Sequence, residues 1–330
     1  MTTFALLPDP ASPLARQSAA QAFADILDGA APEAEIHAFL IALSERGETS
    51  TEIAEAARAM RSRLIPITAP KGAIDVCGTG GDGHHTLNVS TAVSLVVAAA
   101  GVPVAKHGNR AASSRAGAAD TLEALGLNLD RAAAAAEDTL GDLGIAFLFA
   151  QKHHPALARI GPIRRRIGRR TIFNLMGPLA NPAHVTRQLI GIARADYAPV
   201  YAEALEQLGA EAAAVVAGED NLDELSPEVA SIAVNVGCAT LPTRITPEDA
   251  GLPRHLLSAI RGGDPAENAF ALRKLLQGEK GAYRDAVLLN AAAALMVAGH
   301  AADLREGAEE AAEVLDKGLV NALLDCWIAY

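Results

Sequence analysis

Apolar residues recur at helical spacing through the first 66 residues of the chain. One stripe at positions i, i+3, i+4 and i+7 consists of Ile36, Phe39, Leu40 and Leu43. A second stripe consists of Ile53, Ala57, Met60 and Leu64. The segment Thr49–Thr51 supplies capping residue types just before it. The spacing predicts a small helical domain over residues 1–66. A linker with two prolines is predicted at 65–70.

Beyond residue 70, short apolar runs alternate with helical stretches. Strands are predicted at 73–77, 101–105, 145–149, 189–192 and 212–216, and helices at 131–142, 201–208, 265–278 and 283–298. This alternation predicts an α/β fold in which a mainly parallel central sheet is flanked by helices. The large domain is predicted to cover residues 71–150 and 180–330.

Residues 78–91 are rich in groups that suit anion binding. The loop Gly78-Thr-Gly-Gly-Asp-Gly83 follows the first predicted strand, and its four glycines let the backbone turn and present N–H groups. Asn88, Ser90 and Thr91 are capping residue types before the apolar run 93–100. A helix N-terminus, with free N–H groups and a positive dipole end, is therefore predicted to face the glycine loop.

The second predicted strand leads into further donors: Lys106, His107, Asn109, Arg110, Ser113 and Ser114. So many donors at one place suit a phosphate and a pyrophosphate on one small molecule. A glycine loop alone is weak evidence, because a tight turn without a ligand explains it equally well. The loop is also not a nucleotide P-loop, since no Lys-Ser/Thr follows at the required spacing.

Taken together, these segments resemble the anthranilate phosphoribosyltransferases. The family pattern Gly-Thr-Gly-Gly-Asp-Gly, Asn-x-Ser-Thr and Lys-His-Gly-Asn-Arg-x-x-Ser-Ser stands here at 78–83, 88–91 and 106–114. The resemblance covers essentially the whole chain. It implies a nucleoside phosphorylase/phosphoribosyltransferase-like fold, and transfer of phosphoribose from phosphoribosyl pyrophosphate to anthranilate in tryptophan synthesis. It also implies a homodimer joined through the small domain, which takes in a later segment at about 155–178.

The resemblance further implies which residues bind each ligand. Those for phosphoribosyl pyrophosphate are Gly78, Gly81, Asp82, Thr86, Asn88, Ser90, Thr91, Lys106, Asn109, Arg110, Ser113 and Ser114. Those for anthranilate are Gly78, His107, Asn109, His154 and Arg164. The cofactor is Mg²⁺, and its implied ligands are Ser90, Asp223 and Glu224. No residue is assigned as a proton acceptor.

Two of these assignments have a plainer alternative. Arg164 lies among five arginines within the seven residues 164–170, and a solvated helix face is the ordinary interpretation of such a run. A planar guanidinium facing a cleft would instead grip a carboxylate with two hydrogen bonds. The acidic segment 218–225 can likewise be a solvated loop. Its Asp223-Glu224 pair also suits Mg²⁺, a hard ion bound by carboxylates together with substrate phosphates.

Three features depart from the family pattern. Asn221 stands where glycine is usual, and asparagine is the next best residue for a left-handed backbone, so we expect the loop shape to survive. His84 and His85 follow the glycine loop in place of small residues. Ala118 stands where serine is common, which removes one possible phosphate contact.

Composition narrows the class of protein. The chain has 330 residues, of which 50% are hydrophobic and 4% aromatic, so a large aliphatic core is available. The net charge of −11 disfavours a general nucleic-acid binder. No apolar run is long enough to span a bilayer, so no membrane partner is expected. Three widely spaced cysteines, Cys77, Cys238 and Cys326, are predicted to be reduced core residues of a cytoplasmic protein.

Two alternative functions stay open at this point. One is a pyrimidine-nucleoside phosphorylase-like enzyme, which would use phosphate as its nucleophile and would not need an arginine for a carboxylate. The other is an inactive relative that binds nucleic acid through its arginine run. The intact Asp223-Glu224 pair, Lys106 and Asn109 count against the second alternative.

Overall fold

The computed structural model describes residues 6–111 and 115–330. Its N-terminal part contains three helices: α1 (Arg16–Asp28), α2 (Glu33–Arg46) and α3 (Ser50–Arg61). The first predicted stripe is buried in α2, and Thr49 caps α3. The Glu52 N–H donates to the Thr49 hydroxyl, and the Thr49 N–H donates to the Glu52 carboxylate, which completes a capping box. Leu64 lies beyond the end of α3, so the predicted helix is one turn too long.

Within the described residues, seven strands form one sheet in the order β3-β2-β1-β4-β5-β6-β7. They are β1 (Ile74–Gly78), β2 (Val104–Gly108), β3 (Ile145–Phe149), β4 (Arg187–Gly191), β5 (Ala212–Gly218), β6 (Ser231–Gly237) and β7 (Arg244–Ile245). Strands β1 to β5 pair in parallel, whereas β6 and β7 pair antiparallel. The mainly parallel α/β sheet is confirmed, and the antiparallel edge is not predicted by the sequence.

The remaining helices surround this sheet. They are α4 (Val89–Ala99), α5 (Ala118–Ala124), α6 (Leu129–Ala134), α7 (Ala136–Asp142), α8 (Ala150–His153), α9 (Leu157–Ile167), α10 (Met176–Leu179), α11 (Ala198–Gln207), α12 (Pro265–Leu276), α13 (Ala282–Ala298), α14 (Leu304–Asp316) and α15 (Leu319–Ala329). Residues 150–153, predicted as a loop, form the short helix α8.

The two faces of the sheet belong to different cores. Alternate side chains of β5 point to opposite faces. Ala212, Ala214 and Val216 join a core built on α4 and α13, whereas Ala213 and Val215 join the core of the N-terminal helices. Helix α9 contributes to this second core and packs against α1 and α2. The helical part of the chain is therefore packed directly against one face of the sheet.

Strand β2 begins at Val104, three residues later than predicted. Proline has no N–H to donate to a ladder, and Pro103 precedes the strand. Lys106 and His107 consequently lie inside β2 and not after it, so their side chains point to opposite faces. Lys106 and His107 therefore contact different parts of the folded chain.

The cysteine prediction is wrong for two residues of three. Cys77 is buried, but Cys238 and Cys326 are exposed, and all three are free thiols. In the described parts of the chain, no helix combines the length and the apolar character needed to cross a membrane.

Candidate functional site

The loops after β1 and β5 meet at the carboxyl edge of the sheet. Gly78 ends β1 and is aligned with Gly191, which ends β4. A Cβ on Gly78 would lie 2.2 Å from Asp223 Oδ2, and a Cβ on Gly191 would lie 1.6 Å from the Asp223 carbonyl oxygen. The Gly80 N–H donates to Asp223 Oδ2 at 2.7 Å. The acidic loop therefore rests directly on two strand ends, where only glycine leaves room for it.

Asp223 and Glu224 are half-buried carboxylates with mutually unfavourable charges. Burial, and then the charge of Asp82, raises the pKa of Asp223 to about 7. Burial, and then the charge of Asp223, raises the pKa of Glu224 to about 8. A bound cation would favour the ionised form of both groups. The pair thus suits a divalent cation.

The side chains at this position can bind Mg²⁺ only together with a ligand that supplies further oxygen atoms. Nowhere in residues 6–111 and 115–330 do three or more His, Cys, Asp or Glu side chains surround one metal position. Mg²⁺ is usually held by one or two carboxylates together with water and substrate phosphates. Asp223 and Glu224 match that pattern, and Ser90 contributes a backbone hydrogen bond to Glu224.

The acidic loop has the shape expected despite the replacement of glycine. Asn221 adopts the left-handed conformation, with φ 66°. The Asp220 carboxylate accepts the Leu222 N–H at 3.2 Å and the Ser226 hydroxyl at 2.7 Å. His84 Nε2 lies 2.9 Å from the Asp220 carbonyl oxygen. His84, which departs from the family pattern, thus connects the glycine loop to the acidic loop.

Helix α4 begins beside these two loops, but its N-terminus is not capped as predicted. Asn88 is the residue before the first turn, and its side chain makes no hydrogen bond to the helix amides. Instead, the Val89 N–H donates to the Leu87 carbonyl oxygen at 2.7 Å, and the Ser90 N–H bonds to Glu224. In the first turn, the Thr91 hydroxyl is buried and has no partner among the described residues. Asn88 and Thr91 therefore do not cap the helix.

Lys106 places a buried ammonium group between β1 and α4. Its side chain lies in β2, and the residue is only 3% exposed. Nζ donates to the Val76 carbonyl oxygen at 2.8 Å and lies 3.4 Å from Ser90 Oγ. Its charge also lowers the pKa of Glu224, against the larger effect of burial. The ammonium is thus close to the acidic pair and to the start of α4.

The other residues predicted to bind the phosphates have local partners. Arg110 pairs with Asp120 at 2.9 Å and Glu123 at 2.8 Å, and it lies over the Phe149 ring. Asn109 Oδ1 accepts the Arg110 N–H at 2.8 Å.

Gly81 has φ 84°, Asp82 accepts the His84 N–H, and Thr86 forms a β-bridge with Arg261. Ser113 and Ser114 lie outside the described residues.

His107 and His154 form a buried, uncharged pair. Their Nε2 atoms are 3.2 Å apart, and His107 Nδ1 lies 2.8 Å from the Gly177 carbonyl oxygen. Burial, and then the neighbouring histidine charges, lowers the pKa of His107 to about 3. Burial lowers the pKa of His154 to about 4. Both rings are therefore neutral near pH 7.

Arg164 differs from its neighbours in the arginine run. Arg166, Arg169 and Arg170 pair with Glu33, Glu45 and Glu48, respectively. Arg164 is half-buried on α9 and pairs with no carboxylate in the described chain. Burial lowers its pKa. A half-buried guanidinium without a protein partner is suited to an anionic ligand.

Two features of this region are not predicted by the sequence. Glu48 is buried and receives both the Arg170 guanidinium and the Tyr197 hydroxyl. A cavity of about 140 Å³ separates this group from the glycine loop Thr79–Gly81. The second feature is the close approach of the Asp223 backbone to Gly191. A glycine at the end of a predicted strand is a sequence signal of such an approach.

Known proteins resemble this chain over almost its full length. A family model described as "Glycosyl transferase family, a/b domain" matches residues 70–321, and one described as "Glycosyl transferase family, helical bundle domain" matches residues 11–64. The anthranilate phosphoribosyltransferase of Novosphingobium aromaticivorans is 67% identical over 325 residues, which is 98% of each chain.

Solved structures agree with these matches. The anthranilate phosphoribosyltransferase of Thermus thermophilus superimposes with a TM-score of 0.90 at 43% identity, covering 97% of this chain and 96% of that one. The enzyme of Saccharomyces cerevisiae, in complex with phosphoribosyl pyrophosphate and Mg, gives a TM-score of 0.87 at 27% identity. That match covers 96% of this chain and 93% of the yeast chain.

The contact at Gly191 predicts a large difference between two glycine substitutions. Gly191→Ala should lower the free energy of unfolding by about 3 kcal/mol or more, because the new methyl group meets backbone that cannot move away. Gly141→Ala is the control: it lies inside α7 with open space around it and should add roughly 0.5–1 kcal/mol. Guanidinium denaturation measures both, and equal effects would contradict the proposed packing.

The histidine pair predicts a specific loss of stability in acid. The folded pKa values lie below the ordinary value of 6.5, so the unfolded chain binds more protons between about pH 6.5 and 3. The free energy of unfolding should therefore fall as pH is lowered through that window. The double variant H107N/H154N should show a shallower fall in urea denaturation. Parallel curves for the wild type and the variant would refute this origin.

Proposed function

The chain belongs to the anthranilate phosphoribosyltransferase family, and we propose how its residues transfer phosphoribose to anthranilate. The reaction converts phosphoribosyl pyrophosphate and anthranilate into N-(5-phosphoribosyl)anthranilate and pyrophosphate, in tryptophan biosynthesis. The observation that carries the proposal is the contact of the acidic loop with the ends of β1 and β4. It brings the glycine loop, the Asp223-Glu224 pair and the start of α4 to one place.

Phosphoribosyl pyrophosphate binds across this place. The glycine loop donates to phosphate oxygens, the positive dipole end of α4 faces them, and Lys106 adds a positive charge beside Ser90. Asp223 and Glu224 would hold Mg²⁺, and Ser90 lies beside them. When bound, Mg²⁺ supplies positive charge against the departing pyrophosphate. The raised pKa values of the two carboxylates support a cation there.

Anthranilate binds on the side of the histidine pair. Arg164 grips its carboxylate, and the neutral rings of His107 and His154 line the site without repelling the amine. Asn109, at the end of β2, lies between the two substrates. The half-buried, unpaired guanidinium of Arg164 supports this orientation, because its paired neighbours already have carboxylate partners.

In this reaction the protein mainly positions the substrates and stabilises the charge that develops on the leaving group. The aromatic amine is neutral at pH 7, so its nitrogen needs no base before it attacks. The barrier lies in breaking the C1–pyrophosphate bond, where negative charge grows on the leaving group. Lys106, the loop N–H groups and the α4 dipole stabilise that charge. Arg164 and Asn109 hold the nitrogen facing C1, which lowers the entropy cost of the encounter.

The domain division, assembly and location belong to the same proposal. We assign residues 1–66 with about 155–178 to the small domain, and 71–150 with 180–330 to the large domain. The packing of α9 against α1 and α2 supports this division. The protein acts as a cytoplasmic homodimer joined through the small domain. Light scattering on the purified protein tests the assembly, and a monomer would overturn it.

The two alternative functions are less consistent with the structure. Three guanidinium groups of the arginine run are paired with Glu33, Glu45 and Glu48, which leaves little free positive charge for nucleic acid. A pyrimidine-nucleoside phosphorylase would have no substrate carboxylate for the half-buried Arg164. One assay separates the proposed function from both alternatives: loss of anthranilate fluorescence in the presence of phosphoribosyl pyrophosphate and Mg²⁺. No loss would overturn the proposal.

Arg164 should act on one substrate only. We expect Arg164→Ala to raise the KM for anthranilate by about 100-fold, since a bidentate charged contact is worth roughly 3 kcal/mol. The KM for phosphoribosyl pyrophosphate should change by less than about threefold. Arg165→Ala, an exposed arginine next to it, is the control. Steady-state kinetics measure both constants, and equal losses for the two substrates would remove Arg164 from the anthranilate site.

The acidic pair should control the magnesium requirement. We expect the double variant D223N/E224Q to need at least about tenfold more Mg²⁺ for half-maximal activity, because neutral amides bind a hard cation weakly. E219Q is the control, since Glu219 is exposed and pairs with Arg244. The measurement is a magnesium titration of activity. An unchanged midpoint in D223N/E224Q would place the metal elsewhere.

A further inference from the structure

Asn88 is the meeting point of four separate parts of the chain. Its Oδ1 accepts the Thr121 hydroxyl at 2.6 Å and the Asn268 amide at 2.9 Å. Its Nδ2 donates to the Ala116 carbonyl oxygen at 3.2 Å, and its own carbonyl oxygen accepts the Tyr283 hydroxyl at 3.1 Å. Thr121 and Asn268 are both buried. These bonds explain why Asn88 precedes α4 without capping it.

A second set of hydrogen bonds joins residues 260–263 to the backbone just before Asn88. The Leu87 N–H donates to the Ile260 carbonyl oxygen, and the Gly262 N–H donates to the His85 carbonyl oxygen, each at 2.8 Å. A Cβ on Gly262 would lie 2.8 Å from the Thr86 carbonyl oxygen, so this approach needs glycine. We name residues 260–263 the strap. It pairs with the backbone between the glycine loop and α4.

Asn268 joins the strap to Asn88. Its Oδ1 accepts the Gly263 N–H at 2.8 Å, while its Nδ2 donates to Asn88. One amide thus holds the end of the strap and the residue that precedes α4. Two donors, from Thr121 and Asn268, converge on the Asn88 oxygen, so the Asn88 side chain has one orientation with its amide N–H groups turned away from them.

We propose that Asn268 and Thr121 are positioning residues for phosphoribosyl pyrophosphate, because they fix the Asn88 amide and the start of α4 against its phosphates. The inference rests on the proposed function and deepens it. Neither residue needs to touch the substrate. Their effect passes through Asn88 and through the strap, and it should be confined to the phosphate side of the site, since nothing in the connection reaches His154 or Arg164.

Two pairs of variants test the proposal. Asn268→Ala removes both hydrogen bonds, whereas Asn268→Asp keeps the acceptor for Gly263 and loses the donor to Asn88. Thr121→Val removes the hydroxyl with little change of shape, whereas Thr121→Ser keeps it. The assay is steady-state kinetics, together with calorimetric titration of pyrophosphate and Mg²⁺ into each protein. Circular dichroism melting reports whether each variant is folded.

We expect Asn268→Ala and Asn268→Asp to raise the KM for phosphoribosyl pyrophosphate about tenfold, and Thr121→Val about fivefold, with Thr121→Ser close to wild type. The KM for anthranilate should change less than twofold in all four variants. The double variant N268A/T121V should lose less than the product of the single losses, because both changes act on one Asn88 oxygen. Pyrophosphate affinity should follow the same order.

Three results overturn the inference. One is equal effects on both KM values, and another is full additivity of the double variant. The third is wild-type pyrophosphate affinity in a folded Thr121→Val protein, which decides the matter even if Asn268→Ala does not fold. Failure of the proposed function looks different: the wild-type protein itself would then neither bind pyrophosphate nor consume anthranilate.

Discussion

The site depends on one steric constraint, the approach of the Asp223 backbone to the ends of two neighbouring strands. Gly78 and Gly191 are aligned across β1 and β4, and a side chain on either would occupy the space of the acidic loop. The approach crowds Asp223 and Glu224 against each other and against the glycine loop. Their raised pKa values are the electrostatic consequence. A bound cation, as proposed for Mg²⁺, would favour the ionised form of both carboxylates.

Charge pairing supports the proposed position of the second substrate. Many charges near the site have partners: Arg110 has Asp120 and Glu123, and Arg166, Arg169 and Arg170 have glutamates. Within the described chain, Arg164 pairs with no carboxylate, while the acidic pair has backbone hydrogen bonds and the positive charge of Lys106. Incompletely compensated charges of opposite sign thus support the two proposed substrate positions.

Sequence reasoning succeeds here where the signal is local. The glycine loop, the left-handed Asn221, the alternation of strands and helices and the Thr49 cap are all properties of adjacent residues. It fails where partners are distant in sequence. Thr121 and Asn268 reach Asn88 across 33 and 180 residues, and Glu48 reaches Tyr197 across 149. Asn88 looks like a helix cap in the sequence because its true partners lie on other elements. Strand β2 starts late because of Pro103. The effect of a proline on the end of a strand depends on the neighbouring strands.

The most direct measurement is a crystal structure of this protein with phosphoribosyl pyrophosphate and Mg²⁺ bound. The account predicts the pyrophosphate between the glycine loop 78–83 and the first turn of α4, with the metal on Asp223 and Glu224. It also predicts the sugar C1 facing the side of Arg164. Density for the sugar diphosphate away from the glycine loop, or a metal bound without either carboxylate, would contradict it.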